Sequence, residues 1–362
     1  MTPRLTIEDQ LRTLLERDIF PGISVLVAQG ENILLNKAYG YRSVLPTKEP
    51  LDGSTIYDLA SLTKPLVTAF LALYLVEREN LRLDISIKKI LPDFSDTLTP
   101  RHLLTHTSGL PGWYPFFLFK RDYLSQLQTM KPESRPGARV NYSCPGYILL
   151  YYLLQKAAGL DFPSLAQQVI FHPLGLKRTF FKVPANHVGA TAPTEMGNVY
   201  EKGLAEKNFS EESGVFPWRS EMIRGETHDA NSFYLGGTAG NAGLFSTATD
   251  LYRLSQEFFP ETATILRPET TRLFWQNQTP RKAGHRTIGF KKNSSLITSG
   301  GRALSRDAIG HNGFTGTSLW LEPGTRTIFI LLTNRIHPTF KPINFNRVRR
   351  KLHKIIHSDL DI

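Results

Sequence analysis

Hydrophobic and polar positions recur with two different periods along this chain. Near the start, apolar residues have helical spacing over 5–18, and two β-rich runs follow at 22–28 and 33–39. A short polar turn at 30–32 joins the two runs. This pattern predicts a helix that leads into a β-hairpin.

Runs of the same β type reappear only near the other end of the chain. They are 286–290, 317–321 and 327–333, with a turn at 322–325 between the last two. A terminal helix is predicted after them, because Val348, Leu352, Ile355 and Ile356 share one helical face. The two ends therefore predict one antiparallel sheet flanked by N- and C-terminal helices.

The middle of the chain is mostly helical in pattern. Its clearest helical segments are 147–158, 163–171 and 249–259. We therefore predict an α+β fold with a mostly helical second lobe, as a single domain over 1–362. The sheet lobe would comprise 1–58 plus 285–362, and the helical lobe 59–284.

One long stretch, 184–234, breaks this pattern. It has little periodicity and many Gly, Pro and polar residues, which is typical of a binding loop or a disordered loop. We expect substrate specificity to reside there, around Trp218.

Composition fits a soluble globular protein of 362 residues, with 41% hydrophobic and 21% charged residues. Cys144 is the only cysteine, which excludes an internal disulfide and a cysteine-rich metal site. The first ten residues lack the features of a signal peptide, so a cytoplasmic location is expected unless a leader was trimmed. The apolar run 66–74 is too short to span a bilayer.

The net charge is +11, and the densest basic segment is 347–354. Such a balance permits contact with nucleic acid or anionic lipid, so a polyanion-binding protein that uses this segment is one alternative. The simpler interpretation is that the basic residues form the solvated side of the terminal helix. No specific nucleic-acid partner is expected, and the oligomeric state is not predicted.

The segment that most narrows the chemistry is Ser-x-x-Lys at Ser61 and Lys64, just ahead of the apolar run 66–74. On a helix, residues three apart share a face, so a hydroxyl nucleophile would lie beside a possible base. An ordinary helix N-cap is the alternative for Ser61. A second copy at Ser86 and Lys89 precedes no long apolar helix, and we expect it on a surface turn.

Two further segments strengthen this hypothesis. Tyr142 falls in a turn just before a predicted helix, where its phenol could point into a cleft. His311 precedes Gly313 where a strand begins. Taken singly, a tyrosine or histidine in such a place is usually a packing residue or a satisfied polar residue.

The order of these three segments resembles the serine hydrolases of the class C β-lactamase and penicillin-binding protein family, which includes esterases and DD-peptidases. The matching sequence around them covers 103–111, 236–246 and 310–323. The second stretch, preceded by His228 and Asp229, most resembles the low-molecular-weight penicillin-binding branch.

The resemblance implies a catalytic role for each position. Ser61 would be the nucleophile, and either Lys64 or Tyr142 would be its base, a choice that the sequence leaves open. The backbone N–H groups of Ser61 and Phe314 would form the oxyanion hole. His311, which stands where many relatives carry lysine, could hold Tyr142 or a substrate carboxylate.

The resemblance also implies substrate contacts at Cys144, Asn312 and Gly313, with one departure. Cys144 stands where β-lactam-recognising relatives have asparagine, and a thiol cannot orient a substrate's amide. Together with the absence of a leader, this favours hydrolysis of a carboxylic ester or amide, as in an esterase or DD-peptidase, with weak or no β-lactamase activity. A penicillin-binding protein that acylates without efficient turnover is the alternative.

No metal or cofactor is implied. His102 and His106 are four residues apart, but a zinc protease needs Glu where Leu103 stands. His106 is interpreted as a structural residue in its loop. The expected partner is therefore a small-molecule ester, amide or peptide substrate.

Overall fold

The structure is a computed structural model that describes residues 6–295 and 298–362. The start of the first predicted helix, Leu5, lies outside the described residues. The helices are α1 (Ile7–Glu16), α2 (Phe70–Glu77), α3 (Pro100–Leu104), α4 (Tyr123–Thr129), α5 (Cys144–Ala158), α6 (Phe162–Ala166), α7 (Ala185–Val188), α8 (Val199–Asn208), α9 (Ser210–Val215), α10 (Ala230–Tyr234), α11 (Ala248–Gln256), α12 (Pro268–Thr271) and α13 (Phe345–Leu360). The strands are β1 (Gly22–Gln29), β2 (Asn32–Ser43), β3 (Glu49–Pro50), β4 (Tyr57–Asp58), β5 (Phe245–Ser246), β6 (Lys291–Lys292), β7 (Ile309–Asn312), β8 (Ser318–Glu322) and β9 (Thr327–Thr333).

Within the described residues, seven strands form one sheet in the order β3-β2-β1-β9-β8-β7-β6. Neighbouring strands are antiparallel throughout. At its centre β1 pairs with β9, from Ile23 opposite Thr333 to Gln29 opposite Thr327. The α+β class and the sheet built from both ends of the chain are therefore confirmed.

Both faces of this sheet are covered, and alternate side chains of one strand enter different cores. In β1, Leu26 and Ala28 pack with the helices of the middle of the chain. Val25 and Val27 pack on the opposite face with α1 and α13. Because a strand presents successive side chains to opposite faces, burial on both faces gives β1 its continuous apolar sequence.

The helix α13 confirms one prediction and corrects another. Leu352 and Ile356 are buried, and Val348 and Ile355 pack partly buried beside them, as their helical spacing predicts. Arg349, however, is not on the solvated side, because its side chain is only 4% exposed. It lies one turn before Leu352 on the same inward stripe of the helix.

The apolar run after Ser61 is helical but irregular. A 3₁₀ turn at Ala60–Leu62 is followed by a π-helical turn at Lys64–Ala69 and then by α2. Pro65 has no N–H to close an α-helical bond, which accounts for the irregular start.

This run is also the central helix of the core. The window Ala60–Glu77 has the length and composition of a membrane span, contrary to the shorter run counted from sequence, but 78% of it is buried inside the protein. That degree of burial is typical of the core helix of a globular protein.

The predicted strand at 286–290 is wrong. Arg286 makes only an isolated bridge to Lys291, and the strand β6 begins after it. Gly289 has φ +80°, and a Cβ there would contact Ala69. The chain turns at this point in order to pack against the core helix, which is incompatible with an extended strand.

The stretch 184–234 is not a featureless loop, since it contains α7, α8, α9 and α10. These helices have only four to ten residues each, so their periodicity is too short to detect from the sequence. Trp218 packs against the rings of Phe117 and Phe216. It therefore belongs to an aromatic cluster, not to the lining of the cleft described below.

Candidate active site

Ser61 and Lys64 lie together at the floor of a cleft. The Nζ of Lys64 donates a hydrogen bond to Ser61 Oγ at 2.9 Å and another to the carbonyl of Asn241 at 2.9 Å. Lys64 is completely buried, whereas Ser61 is partly exposed. The hydroxyl thus faces the cleft, with the amine directly behind it.

The backbone just before Ser61 has an unusual conformation. Ala60 has φ 47°, in the left-handed region, which costs a residue other than glycine about 1 kcal/mol or more. Asp58 Oδ1 accepts the Ala60 N–H at 2.8 Å, and Thr63 Oγ1 donates to the Ala60 carbonyl at 2.7 Å. These bonds hold the sharp turn that presents Ser61 to the cleft.

Lys64 is charged in this environment. Burial acts to lower the pKa of Lys64, but Cys144 and Tyr142, whose ionised forms attract an ammonium group, raise it above its ordinary value overall. At neutral pH the amine therefore carries its proton and donates to Ser61. It can accept the hydroxyl proton only after giving up its own.

Tyr142 stands over this pair. The Lys64 Nζ lies 5.1 Å from the centroid of the Tyr142 ring. His106 positions the segment around the tyrosine, because its Nδ1 accepts the Ser143 N–H at 3.1 Å and its carbonyl accepts the Asn141 N–H at 2.8 Å. The His106 ring also packs 4.4 Å from the Tyr142 ring. These contacts support the structural role predicted for His106.

Cys144 is the first residue of α5, and its Sγ lies 3.6 Å from Lys64 Nζ. Burial raises the pKa of the Cys144 thiol above its ordinary value, although Lys64 opposes the shift. A protonated thiol is a weak nucleophile. Cys144 therefore lines the site without competing with Ser61.

His311 and the residues after it form the facing edge of the cleft at the end of β7. The His311 ring lies 5.8 Å from the Tyr142 ring. Burial, then Lys64 and Arg286, hold the pKa of His311 well below its usual range, so the ring is neutral. His311 therefore adds no positive charge to the cleft at neutral pH.

The turn after β7 brings Asn312, Gly313 and Phe314 into the same cleft. Asn312 Oδ1 accepts from Ser299 Oγ at 2.9 Å. A Cβ at Gly313 would collide with the Leu59 carbonyl, so only glycine allows this turn to approach the Ser61 segment so closely. The structure thus brings every site residue predicted from the sequence to one place.

The N–H groups of Ser61 and Phe314 have the properties that an oxyanion hole requires. Among the hydrogen bonds of the described residues, neither N–H donates to a protein acceptor. Both residues line the cleft. Two free donors beside the hydroxyl could stabilise an anionic oxygen.

Two cavities meet at Ser61, Tyr142 and Phe314. One has a volume of about 370 Å³, and its other lining residues are Arg286, Lys291, Thr298, Ser299, Gly310, His311, Asn312, Gly313, Trp320, Arg335, Asn346 and Arg349. The second, of about 390 Å³, is lined also by Ala60, Gly112, Trp113, Cys144, Tyr200, Glu201, Leu204, His228, Asp229 and Ala242. A substrate with its reacting carbon at Ser61 could extend into both.

The first cavity carries a set of cations that we call the basic wall: Arg286, Lys291, Arg335 and Arg349. They come from three segments, since Arg286 and Lys291 lie in one segment and form a β-bridge with each other, and no single local motif indicates the set. Only Arg349 had a usable signal, since it shares its helical stripe with Leu352 and Ile356.

Beside the second cavity lies a network that we call the paired wall: Glu195, Glu201, Arg219, His228 and Asp229. His228 Nε2 contacts Glu195 Oε1 at 2.9 Å, and Arg219 is 3.8 Å from Glu226. Glu201 Oε2 accepts the Ala230 N–H at 2.9 Å. Asp229 Oδ2 accepts from the side chain of Asn241 at 3.0 Å, which ties this wall to the carbonyl that holds Lys64.

Titration of the paired wall reflects its burial. Burial and then Asp229 raise the pKa of Glu201 to about 7. Burial opposes the charging of His228, but its hydrogen bond with Glu195 and the charge of Glu201 raise the pKa of His228 above its ordinary value. The acidic groups of this network thus favour the protonated form of His228.

Other sequence features lie away from the cleft. Ser86 accepts the Lys88 N–H at 3.2 Å as the cap of a short 3₁₀ turn, as predicted for the second Ser-x-x-Lys. His102 Nδ1 pairs with Thr99 Oγ1 at 3.1 Å. Among the described residues, no group of three or more His, Cys, Asp or Glu side chains could hold a metal ion.

Comparison with solved structures defines the fold. The chain superimposes on a class C beta-lactamase with a TM-score of 0.74 at 19% identity, covering 97% of this chain and 95% of that one. It matches "EstCE1, a hydrolase with promiscuous acyltransferase activity" with a TM-score of 0.74 at 20% identity, covering 97% of both chains. The fold is therefore that of the beta-lactamases and transpeptidases.

The Beta-lactamase family profile matches residues 7–353, so the chain belongs to the Beta-lactamase family, and the resemblance seen in the sequence is confirmed. It is 27% identical to the Escherichia coli (strain K12) protein named "Putative D-alanyl-D-alanine carboxypeptidase", over 88% of this chain and 79% of that one. It is 28% identical to the N-acetylmuramyl-L-alanine amidase of Bacillus subtilis (strain 168), over 94% and 83%. Family and relatives together indicate a hydrolase.

Proposed function

We propose that this protein is a serine hydrolase that acts on a carboxylic ester or amide through an acyl-enzyme on Ser61. The observation that carries the proposal is the 2.9 Å hydrogen bond between Lys64 Nζ and Ser61 Oγ at the junction of two cavities. Relatives named as a carboxypeptidase and an amidase support amide chemistry, and the structural likeness to EstCE1 is compatible with an ester.

The reaction would run in two steps. Ser61 Oγ attacks the carbonyl carbon and loses its proton, the C–O or C–N bond breaks, and the leaving group takes a proton. Water then attacks the acyl-enzyme and releases the acid, and Ser61 recovers its proton.

The first acceptor of the Ser61 proton is Tyr142 or Lys64. The charged Lys64 would stabilise a Tyr142 phenolate in front of it, and it would itself need to lose a proton before it could act as the base. The backbone N–H groups of Ser61 and Phe314 would stabilise the tetrahedral oxyanion, each donor contributing about a hundred- to a thousandfold in rate.

The first test uses a short-chain p-nitrophenyl ester and two matched variants. We expect Ser61→Ala to lower kcat/KM about ten-thousandfold, because it removes the nucleophile. Ser86→Ala, at the second Ser-x-x-Lys, should retain the wild-type rate. Intact-mass analysis should show an adduct with a fluorophosphonate on the wild-type protein and none on Ser61→Ala. Undiminished hydrolysis by Ser61→Ala would contradict the proposal.

The same proteins test the expectation of weak β-lactamase activity. The Lys64 amine faces the thiol of Cys144, where a β-lactamase of this family would offer an asparagine amide. We expect slow turnover of nitrocefin relative to the ester, and rapid turnover would show that expectation to be wrong. A stable, stoichiometric adduct with a fluorescent penicillin and no ester turnover would favour the alternative of acylation without hydrolysis.

A further inference from the structure

Four positively charged side chains face the 370 Å³ cavity, and no acidic residue is among its described lining residues. Within the described part of the chain, none of the four cations of the basic wall forms an ion pair. Surface cations elsewhere do find acids, as Arg101 does with Asp84 at 2.6 Å. The cavity therefore concentrates uncompensated positive charge beside Ser61.

The guanidinium of Arg349 is buried and has no negatively charged partner among the described residues. Its side chain is 4% exposed, and its hydrogen bonds go to neutral oxygens, among them the carbonyls of Gly313 at 3.1 Å and Thr317 at 2.9 Å. Its Nε is buried and has no acceptor among the described residues. A buried charge in this state is costly unless an opposite charge occupies the cavity.

A second guanidinium lies close to it. The guanidinium carbons of Arg335 and Arg349 lie 5.3 Å and 4.8 Å from the centroid of the same Phe345 ring. Burial, and then this neighbour, lowers the pKa of Arg349 to about 9. Two like charges held against one ring repel each other, and an anion between them would relieve that repulsion.

The other half of the basic wall repeats the pattern. Burial lowers the pKa of Arg286, and burial and then Arg286 lower the pKa of Lys291. The Nε of Arg286 is also buried with no acceptor among the described residues. Planar guanidinium groups with free N–H donors are suited to carboxylate and phosphate oxygens.

The number of cations in the cavity indicates how much negative charge its ligand carries. A single carboxylate would neutralise one of the four cations, and neutral His311 adds none. We propose that this cavity binds a group with two negative charges, either a phosphoryl group or a pair of carboxylates, carried by the substrate next to its scissile bond. The assignment to a substrate depends on the proposed function of Ser61, but the binding of a dianion by the cavity does not.

The test of binding uses the Ser61→Ala protein, isothermal titration and three small probes. Inorganic phosphate and malonate represent the two dianions, and acetate represents a single carboxylate. We expect phosphate or malonate to bind at least about tenfold more tightly than acetate, and their difference identifies the kind of dianion. Acetate binding as tightly as both dianions, or no binding by either dianion, would overturn the proposal.

Matched variants locate the site. Lys291 is partly exposed, so Lys291→Met is expected to fold, and it should weaken dianion binding about fivefold or more. Lys354→Met removes the same charge from an exposed position on α13 outside the cavity and should bind as tightly as the parent. If the two variants bind alike, the dianion does not occupy this cavity. Arg286→Met gives a second, independent variant on the same wall, with the same expectation.

Kinetics separate this proposal from the function of Ser61. In a series of esters with a neutral, a singly charged or a doubly charged acyl group, kcat/KM of the wild type should be highest for the dianion. In Lys291→Met that preference should shrink about fivefold or more. Hydrolysis that needs Ser61 but shows no preference for a dianion would refute the inference alone. Phosphate or malonate binding together with hydrolysis that survives Ser61→Ala would refute the proposed function alone.

Discussion

The two walls of the cleft treat charge in opposite ways. On the paired wall, opposite charges adjoin at two places, Glu195 with His228 at 2.9 Å and Glu226 with Arg219 at 3.8 Å. Glu201 and Asp229 accept hydrogen bonds from neutral donors, and Glu195 Oε2 has no hydrogen-bond partner among the described residues. On the basic wall, among the described residues, no cation has an acid beside it, and Arg349 and Arg286 each retain a buried N–H without an acceptor. Buried charge that the fold compensates serves the fold, whereas buried charge that it leaves uncompensated is available to a ligand.

Lys64 is a buried cation with no carboxylate partner, because its neighbours Ser61, Cys144 and the Asn241 carbonyl are all neutral groups or weak acids. On the basic wall, a buried charge without a counter-charge in the protein is available to a ligand. We infer in the same way that the charge of Lys64 takes part in the reaction. We expect Lys64→Met to lower kcat/KM for a p-nitrophenyl ester roughly a thousandfold, as loss of a proton-transfer group does.

The same variant should not destabilise the protein, because a methionine of similar volume replaces a buried charge that has no acid partner. Denaturation with guanidinium chloride checks this expectation. If Lys64→Met keeps its activity and loses several kcal/mol of stability, the charge of Lys64 stabilises the fold, as the charges of the paired wall do, and does not take part in the reaction.

Glu195 tests the paired wall directly. Glu195→Gln keeps the shape of the side chain but removes the counter-charge of protonated His228, and at pH 6 we expect a loss of about 3 kcal/mol in the free energy of unfolding. Since the pKa of His228 is raised, its ionic contribution is complete below about pH 6.5 and disappears as the pH rises through the folded value. The cost of the variant should therefore be larger at pH 6 than at pH 9.

Dianion binding by the Glu195→Gln protein provides the matching readout. Because Glu195 does not line the first cavity, the affinity for phosphate should be unchanged. A loss of phosphate affinity comparable to that in Lys291→Met would show that the two walls do not act independently.

His353, which lies behind the basic wall, should make stability depend on pH in the opposite direction to His228. Its Nδ1–H donates to the Ser299 carbonyl at 2.9 Å, and burial lowers the pKa of His353 to about 4. The unfolded imidazole binds a proton below about pH 6.5, so the stability that depends on neutral His353 falls as the pH falls, by about 2 kcal/mol at pH 5. Between pH 7.5 and pH 5, wild type should lose about 2 kcal/mol more than His353→Gln in denaturation experiments. Equal losses would contradict this assignment.

The parts of the fold that could be predicted from the sequence are those in which a periodic pattern of apolar residues extends over a whole strand or helix. The hairpin β1–β2, the pair β8–β9 and helix α5 all have apolar runs with a clear period and clear turn residues. The segment 286–290 failed because its extended pattern is overruled by a tertiary contact, the packing of Gly289 against the core helix. The short helices of 184–234 carry too few turns to show a period.

The candidate site divides in the same way. Ser61, Lys64, Tyr142 and His311 could be found because each lies in a short motif whose order along the chain is informative. The basic wall could not, because the Arg286–Lys291 segment, Arg335 and Arg349 come together only through the tertiary fold. The four cations contribute to the net charge of +11, but the sequence analysis interpreted the basic residues of α13 as its solvent-exposed side.

The pairing of β1 with β9 at the centre of the sheet has a consequence for biosynthesis. A ribosome makes β1 and the Ser61 segment early, but about 300 residues separate β1 from its partner, and contacts so distant in sequence form slowly. Until β9 and α13 have emerged, the face of β1 that carries Val25 and Val27 lacks part of its cover, and the cavity beside Ser61 lacks Arg349. The nascent chain therefore carries its nucleophile long before it can assemble the pocket around it.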